Sequence, residues 1–126
     1  MYEKLFESIK IGTMEVPNRI VMTAMGNHAA NPDFTATELD AKFYGARAKG
    51  GVGLVITECL IVDELNGRGN NAQMSCDGDK YIPGLKKVAD EVHKYGMKIC
   101  GQIYHPGRQG IAVVNGVESM PSASQT

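Results

Sequence analysis

The sequence predicts an incomplete parallel α/β unit, on three observations. Short β-branched runs alternate with amphipathic segments, the connections between those runs are long, and polar residues gather just after each run. Parallel strands need a crossover of about a dozen residues or more, which the stretches between Ala24 and Val52 and between Cys59 and Lys98 both provide. At 126 residues the chain has the size of one domain rather than two.

Ile9, Ile11 and Val16 alternate with polar neighbours around Gly12, and Val16-Pro17-Asn18 ends the run, which predicts a small β-hairpin within residues 1–19. Arg19-Ile20-Val21-Met22-Thr23-Ala24 is β-branched and too short for a helix. It predicts the first core strand, running out into Met25-Gly26-Asn27-His28. Thr35-Ala36-Thr37-Glu38 has the spacing of a capping box, with Thr35 serving the first free amides and Glu38 reaching back. Leu39, Phe43 and Ala46 then mark the apolar side of a helix ending near Lys49, and Gly50-Gly51 supplies its stop. Val52 to Cys59 is almost continuously apolar, as expected of a strand buried on both faces.

From Asp63 to Asp79 the chain is rich in Asn, Gly and Asp without a period, which predicts a long surface loop. Pro83 suits a first helical turn, Leu85, Val88, Ala89 and Val92 form one stripe, and Gly96 closes a second helix with His93 facing solvent. Lys98 to Tyr104 is the third strand, leading into His105-Pro106-Gly107-Arg108, after which the chain is irregular. The order is hairpin, β, α, β, α, β. Three parallel strands leave two open edges, and a (β/α)8 barrel takes roughly 250 residues, so the first part of such a barrel is expected. The open edges predict association with another copy or with further chain.

Composition narrows the function classes. Forty-three per cent apolar and 21% charged residues exclude a disordered chain, and 13 basic against 14 acidic residues give no attraction for a polyanion. Neither nucleic acid nor membrane is an expected partner; a small molecule is. Apolar runs such as Leu54–Ile56 and Ile111–Val114 fall far short of the roughly 20 residues that span a bilayer. Met1–Lys10 carries Glu3, Lys4 and Glu7 and lacks a secretory apolar run, so a cytoplasmic location is expected. Cys59, Cys76 and Cys100, odd in number and without a Cys-x-x-Cys pair, predict neither a disulfide framework nor a zinc site.

Parallel strands put their C-terminal ends on one face, which gathers Thr23 to His28, Glu58 with Cys59, and Gln102 to Arg108. Gln102 is the sharpest of these, because an amide inside a buried strand needs both donor and acceptor partners. Two readings stand: a planar heterocycle with an imide edge satisfies it, or a neighbouring backbone does. His105 with Arg108 holds an anion or polar substrate, or His105 simply packs on Pro106. His28 either donates to a substrate oxygen or is a solvated loop histidine. Cys59 and Cys100 occupy strand positions and are expected to be buried, inert thiols. Gly67-Arg68-Gly69-Asn70-Asn71 is not a dinucleotide fingerprint, since no strand immediately precedes it.

Leu5-Phe6, Ile11-Gly12, Pro17-Asn18-Arg19-Ile20-Val21-Met22, Ala46-Arg47-Ala48, Gly50 to Glu58, and Gln102-Ile103-Tyr104-His105-Pro106-Gly107-Arg108 together resemble the N-terminal part of the old yellow enzyme family. The branch of NADH:flavin oxidoreductases and 2,4-dienoyl-CoA reductases is the most similar. The resemblance runs from about residue 4 to residue 110 and implies an FMN-binding (β/α)8 TIM barrel. In that frame residues 1–19 are a capping hairpin and residues 20–126 carry barrel strands 1 to 3. It further implies cofactor contacts from Thr23, Ala24, Met25, Gly26, Cys59 and Gln102, with Gln102 on the flavin pyrimidine edge, and a substrate side at His28, His105 and Arg108. NADH or NADPH is the implied reductant, and an alkene conjugated to a carbonyl the implied hydride acceptor. Gly26 departs from the family pattern, since several relatives carry cysteine or threonine there. The family's paired substrate ligands, proton donor and phosphate loops lie on later strands, so weak FMN binding and little turnover are expected of these residues alone.

Overall fold

The computed structural model describes residues 2–124. A short helix α1 (Glu3–Phe6) leads into an antiparallel pair, β1 (Ile9–Ile11) and β2 (Met14–Val16), in which Ile9 faces Val16. Gly12 turns the hairpin at φ 61°, a left-handed conformation open to glycine at no steric cost. Strands β3 (Val21–Met22), β4 (Leu54–Ile61) and β5 (Lys98–Tyr104) then form a parallel sheet in the order β3-β4-β5. The crossovers carry helices α2 (Glu38–Lys49) and α3 (Ile82–His93), which pack on each other and on the sheet. Ala41, Tyr44 and Ala48 of α2, Val55 and Leu60 of β4, and Val88 and Val92 of α3 make the core.

β4 lies between its neighbours and is buried along most of its length, as its continuous apolar sequence requires. Its register with β5 slips once: Ile56 lies opposite Cys100, but Cys59 lies opposite Gln102. The extra residue is a β-bulge, and it turns the Thr57 hydroxyl toward the sheet, where Oγ1 accepts the Gln102 N–H at 3.1 Å. The bulge thereby sets Cys59 beside Gln102 at the strand ends.

Several expectations are corrected. The first strand is two residues long rather than six, because it pairs with β4 alone and leaves the sheet after Met22. The helix cap is Thr37, not Thr35: the Thr37 hydroxyl accepts from Asp40 N while the Asp40 carboxylate accepts from Thr37 N. Thr35 bonds to Asp33 instead. The cap draws the fully buried Asp40 inward and rotates the helix, so Ala41, Tyr44 and Ala48 face the core while Leu39 is 63% exposed. The stretch from Asp63 to Asp79 is not wholly a surface loop. Gln73, Met74 and Ser75 are buried in it, and Ser75 bridges to Ile61. Within the tail read as irregular, Ala112–Asn115 forms a helical turn, α4. Cys59 is half-buried, and Cys100 is exposed on β5, whose outer edge no strand among the described residues covers.

The cap assignment yields a discriminating test. Thr37→Ala is expected to cost about 1 kcal/mol in urea unfolding, and Thr35→Ala to leave the α2 cap intact. Equal effects of the two substitutions would refute the assignment.

Candidate functional site

Because β3, β4 and β5 run parallel, the loops leaving them meet on one side of the sheet. A cavity of about 290 Å³ lies there. The loop after β3 contributes Gly26 and His28, β4 contributes Glu58 and Cys59, the segment that follows contributes Gly69, Asn70 and Gln73, and β5 contributes Tyr104.

Glu58 anchors this wall. It is 2% exposed, and its two carboxylate oxygens accept one main-chain N–H each, Oε2 from Asn27 at 3.1 Å and Oε1 from Met74 at 3.0 Å. Its own N–H donates to the Tyr44 hydroxyl at 2.8 Å. Burial pushes the Glu58 carboxyl above the ordinary carboxylate range and the nearby Asp40 adds to this, while the two N–H donors pull it partly back. Burial likewise holds the Tyr44 hydroxyl far above its ordinary value.

Burial first, and the Glu58 carboxylate second, raise the Cys59 thiol above its ordinary value. The sulfur is therefore protonated at neutral pH and serves as a donor rather than a nucleophile. Its Sγ lies 3.1 Å from Gln102 Oε1. Gln73 closes the other side: its Nε2 donates to Cys59 O at 2.6 Å and its Oε1 accepts from Gly69 N at 3.1 Å. His28 holds a left-handed backbone at φ 53°, uncommon for a residue with a side chain. A Cβ on Gly26 would stand 3.3 Å from His28 Nε2, a tight contact that the glycine avoids.

Gln102 is not a buried in-strand amide. Ile99 and Gly101 line the side of β5 toward Val88 and Ala89 of α3, and the two-residue alternation turns Gln102 to the opposite, open side. Gly26, His28 and Cys59 reach the cavity, and Gln102 joins them through Cys59. Thr23, Ala24 and Met25 precede the cavity without lining it. His105 and Arg108 are exposed and stand apart from it; His105 Nδ1 accepts from Gly107 N at 3.0 Å, and its Nε2 is 3.7 Å from Asp63. Glu58 was legible as a charged residue within an apolar strand, a placement that costs free energy unless hydrogen bonds compensate it. Asn27, Gln73 and Tyr104 had no such mark.

The chain matches the NADH:flavin oxidoreductase / NADH oxidase family over residues 4–125. It belongs to that family. It is 43% identical over 108 residues to an NADH oxidase of Thermoanaerobacter brockii, covering 86% of this chain and 17% of that protein. It is 39% identical over 121 residues to an NADPH dehydrogenase of Listeria monocytogenes serotype 4b, covering 95% and 35% of the two chains. The old yellow enzyme homologue of Zymomonas mobilis superposes with a TM-score of 0.86 at 31% identity, covering 97% of this chain and 34% of that one. The chain thus spans between 17% and 35% of the length of these relatives, and its three-stranded sheet is an incomplete part of their TIM barrel. The family is one of oxidoreductases that bind FMN and use NADH or NADPH as reductant.

The residues present fit the flat ring of FMN. The Gln102 carbonyl is engaged by Cys59, which leaves the amide hydrogens on the open side of β5 for the carbonyl of a planar heterocycle. Gly26 brings no side chain into the adjoining space. Among the described residues no helix is long and apolar enough to cross a membrane.

Proposed function

We propose that this chain forms the flavin-ring wall and part of the substrate side of an FMN-dependent oxidoreductase that passes hydride from NADH or NADPH to an activated alkene of the enoate, enone or dienoyl-CoA type. The observation that carries this reading is Gln102, whose amide is pre-set by Cys59 at the common end of three parallel strands beside a cavity. FMN, when bound, would supply the hydride-transfer chemistry. The chain's own residues orient and exclude. Gln102 would hold the ring by its pyrimidine edge, main chain from Thr23 to Gly26 would contribute the adjoining wall, and Cys59 holds the Gln102 amide. His28 faces the substrate, with His105 and Arg108 further out. Residues 1–19 act as a hairpin cap and residues 20–126 as barrel strands 1 to 3, in a cytoplasmic protein whose sheet is extended by further chain.

Fluorescence quenching of FMN by the purified chain, repeated with Gln102→Ala, tests this reading. The wild-type chain is expected to bind weakly, and the substitution to weaken binding about tenfold further, the loss of one hydrogen bond. Indifference of binding to Gln102→Ala, or no quenching by the wild type, would remove the proposed role. A second reading rests on the open edges of β3 and β5 and on Ile103, which is 76% exposed: a non-catalytic segment that pairs with its own copies. Sedimentation separates the two, since self-pairing predicts a colourless dimer or larger species that excludes added FMN.

A further inference from the structure

We infer that Asn27 is a positioning residue that holds His28 at the cavity mouth by tying the loop after β3 to two buried carboxylates. The Asn27 main-chain N–H and both ends of its side-chain amide are used. Its N–H donates to Glu58 Oε2 at 3.1 Å, its Nδ2 donates to Asp40 Oδ1 at 2.8 Å, and its Oδ1 accepts from Ala29 N at 3.3 Å. Asp40 is fully buried and Glu58 2% exposed, so both anchors are rigid parts of the fold rather than surface groups.

The residue between Asn27 and Ala29 is His28, at φ 53°. A left-handed conformation at a residue other than glycine persists only when its surroundings over-determine it. Here both flanks are fixed: Asn27 to β4 and α2, and Ala29 through its carbonyl, 3.0 Å from the Thr37 hydroxyl at the α2 cap. Gly26 completes the arrangement by leaving room for the imidazole. Asn27 does this without serving the apolar core, of which it is no member. The α2 cap does not depend on it either, because Asp40 uses its other oxygen, Oδ2, to accept from Thr37 N at 2.7 Å. That the held imidazole meets a substrate rests on the functional reading above; that Asn27 holds it does not.

The test compares the wild-type chain with Asn27→Ala and with the exchanged pair Asn27→Asp/Asp40→Asn. In the pair, the amide donor sits at position 40 and the acceptor at position 27, so the link is restored with its polarity reversed, and the amide oxygen at 40 still accepts from Thr37 N. Amide hydrogen exchange at Ala29 and the His28 imidazole proton resonances, assigned through their loss in His28→Gln, are the readouts. For Asn27→Ala, Ala29 exchange is expected to speed up about tenfold, as for one lost hydrogen bond, with Val88 of α3 unchanged. The His28 resonances should move toward those of free histidine, and the exchanged pair should return both readouts toward wild type. The inference is overturned if Asn27→Ala leaves Ala29 exchange and the His28 resonances unchanged, or if Val88 exchange accelerates equally. It also fails if the exchanged pair behaves like Asn27→Ala. None of these readouts uses flavin, so a failure to bind FMN would sink the functional reading and leave this one standing.

Discussion

Gly53→Ala is expected to destabilise the chain by roughly 3 kcal/mol, at the upper end of what overpacking a well-packed site costs. A Cβ at position 53 would lie 2.5 Å from Asn18 Oδ1 and 2.8 Å from Asn18 O, and the second of these is backbone that cannot rotate away. Nor can Asn18 retreat without loss. It is 8% exposed, its Oδ1 accepts from both Ile20 N and Gly53 N at 3.0 Å, and its Nδ2 donates to Gly51 O at 2.8 Å. Gly53 also ties the starts of the three strands together, donating to Ile20 O and accepting from Lys98 N, each at 3.0 Å. Gly101→Ala is the control, because the Cβ there meets only the tip of Leu60, a side chain able to turn. In urea unfolding the first variant should lose most of its midpoint and the control little; equal midpoints for Gly53→Ala and wild type would show that the strand starts are not locked in this way.

Glu58→Gln is expected to cost about 2 kcal/mol at neutral pH and to remove a pH dependence that the wild type carries. The substitution replaces one carboxylate oxygen by an NH2 group, yet both oxygens of Glu58 face N–H donors, from Asn27 and Met74. One donor is therefore left against another donor in a buried site. Because burial raises the folded-state value above the ordinary 4.5, the folded chain binds the Glu58 proton more tightly than the unfolded chain does. The stabilisation from protonation is fully present below the unfolded value and is lost as pH rises through the raised folded one. The difference in unfolding free energy between wild type and Glu58→Gln should therefore fall as pH rises through that window. Asp33, Glu38 and Asp63, whose carboxyls hydrogen bonds hold below the ordinary range, work in the opposite sense, but they are common to both chains and cancel in the difference. A difference that is flat in pH would mean that Glu58 titrates alike folded and unfolded.

These two sites mark the boundary between what was legible in the residues and what was not. The strand runs, the helix over Pro83 to Val92 and the long crossovers all act through local periodicity, and they were sufficient for a parallel α/β unit with site residues at its strand ends. Short ordered motifs such as Pro17-Asn18-Arg19-Ile20 and Gln102-Ile103-Tyr104-His105-Pro106 carried the family. The α2 cap was misplaced by two residues because Thr35 and Thr37 offer the same hydroxyl, and only the position of Asp40 in the core selects between them. The buried side of α2 was misread for the same reason, since an acid that faces the interior escapes any pattern of apolar residues.

What the sequence by itself determined is the order of hairpin, three strands and two crossover helices, the common direction of the strands and the family to which they belong, because each follows from near neighbours along the chain; the short α1 and α4 were not among them. Tertiary structure alone decided that a bulge sets Cys59 beside Gln102, that Glu58 bonds Asn27 and Met74, and that Gln73 and Met74 leave a polar loop for the interior. Those contacts join residues from 14 to 43 positions apart. Their geometry is set by the register of β4 against β5 and by which carboxylates the packed helices enclose, quantities that no local pattern of residues encodes.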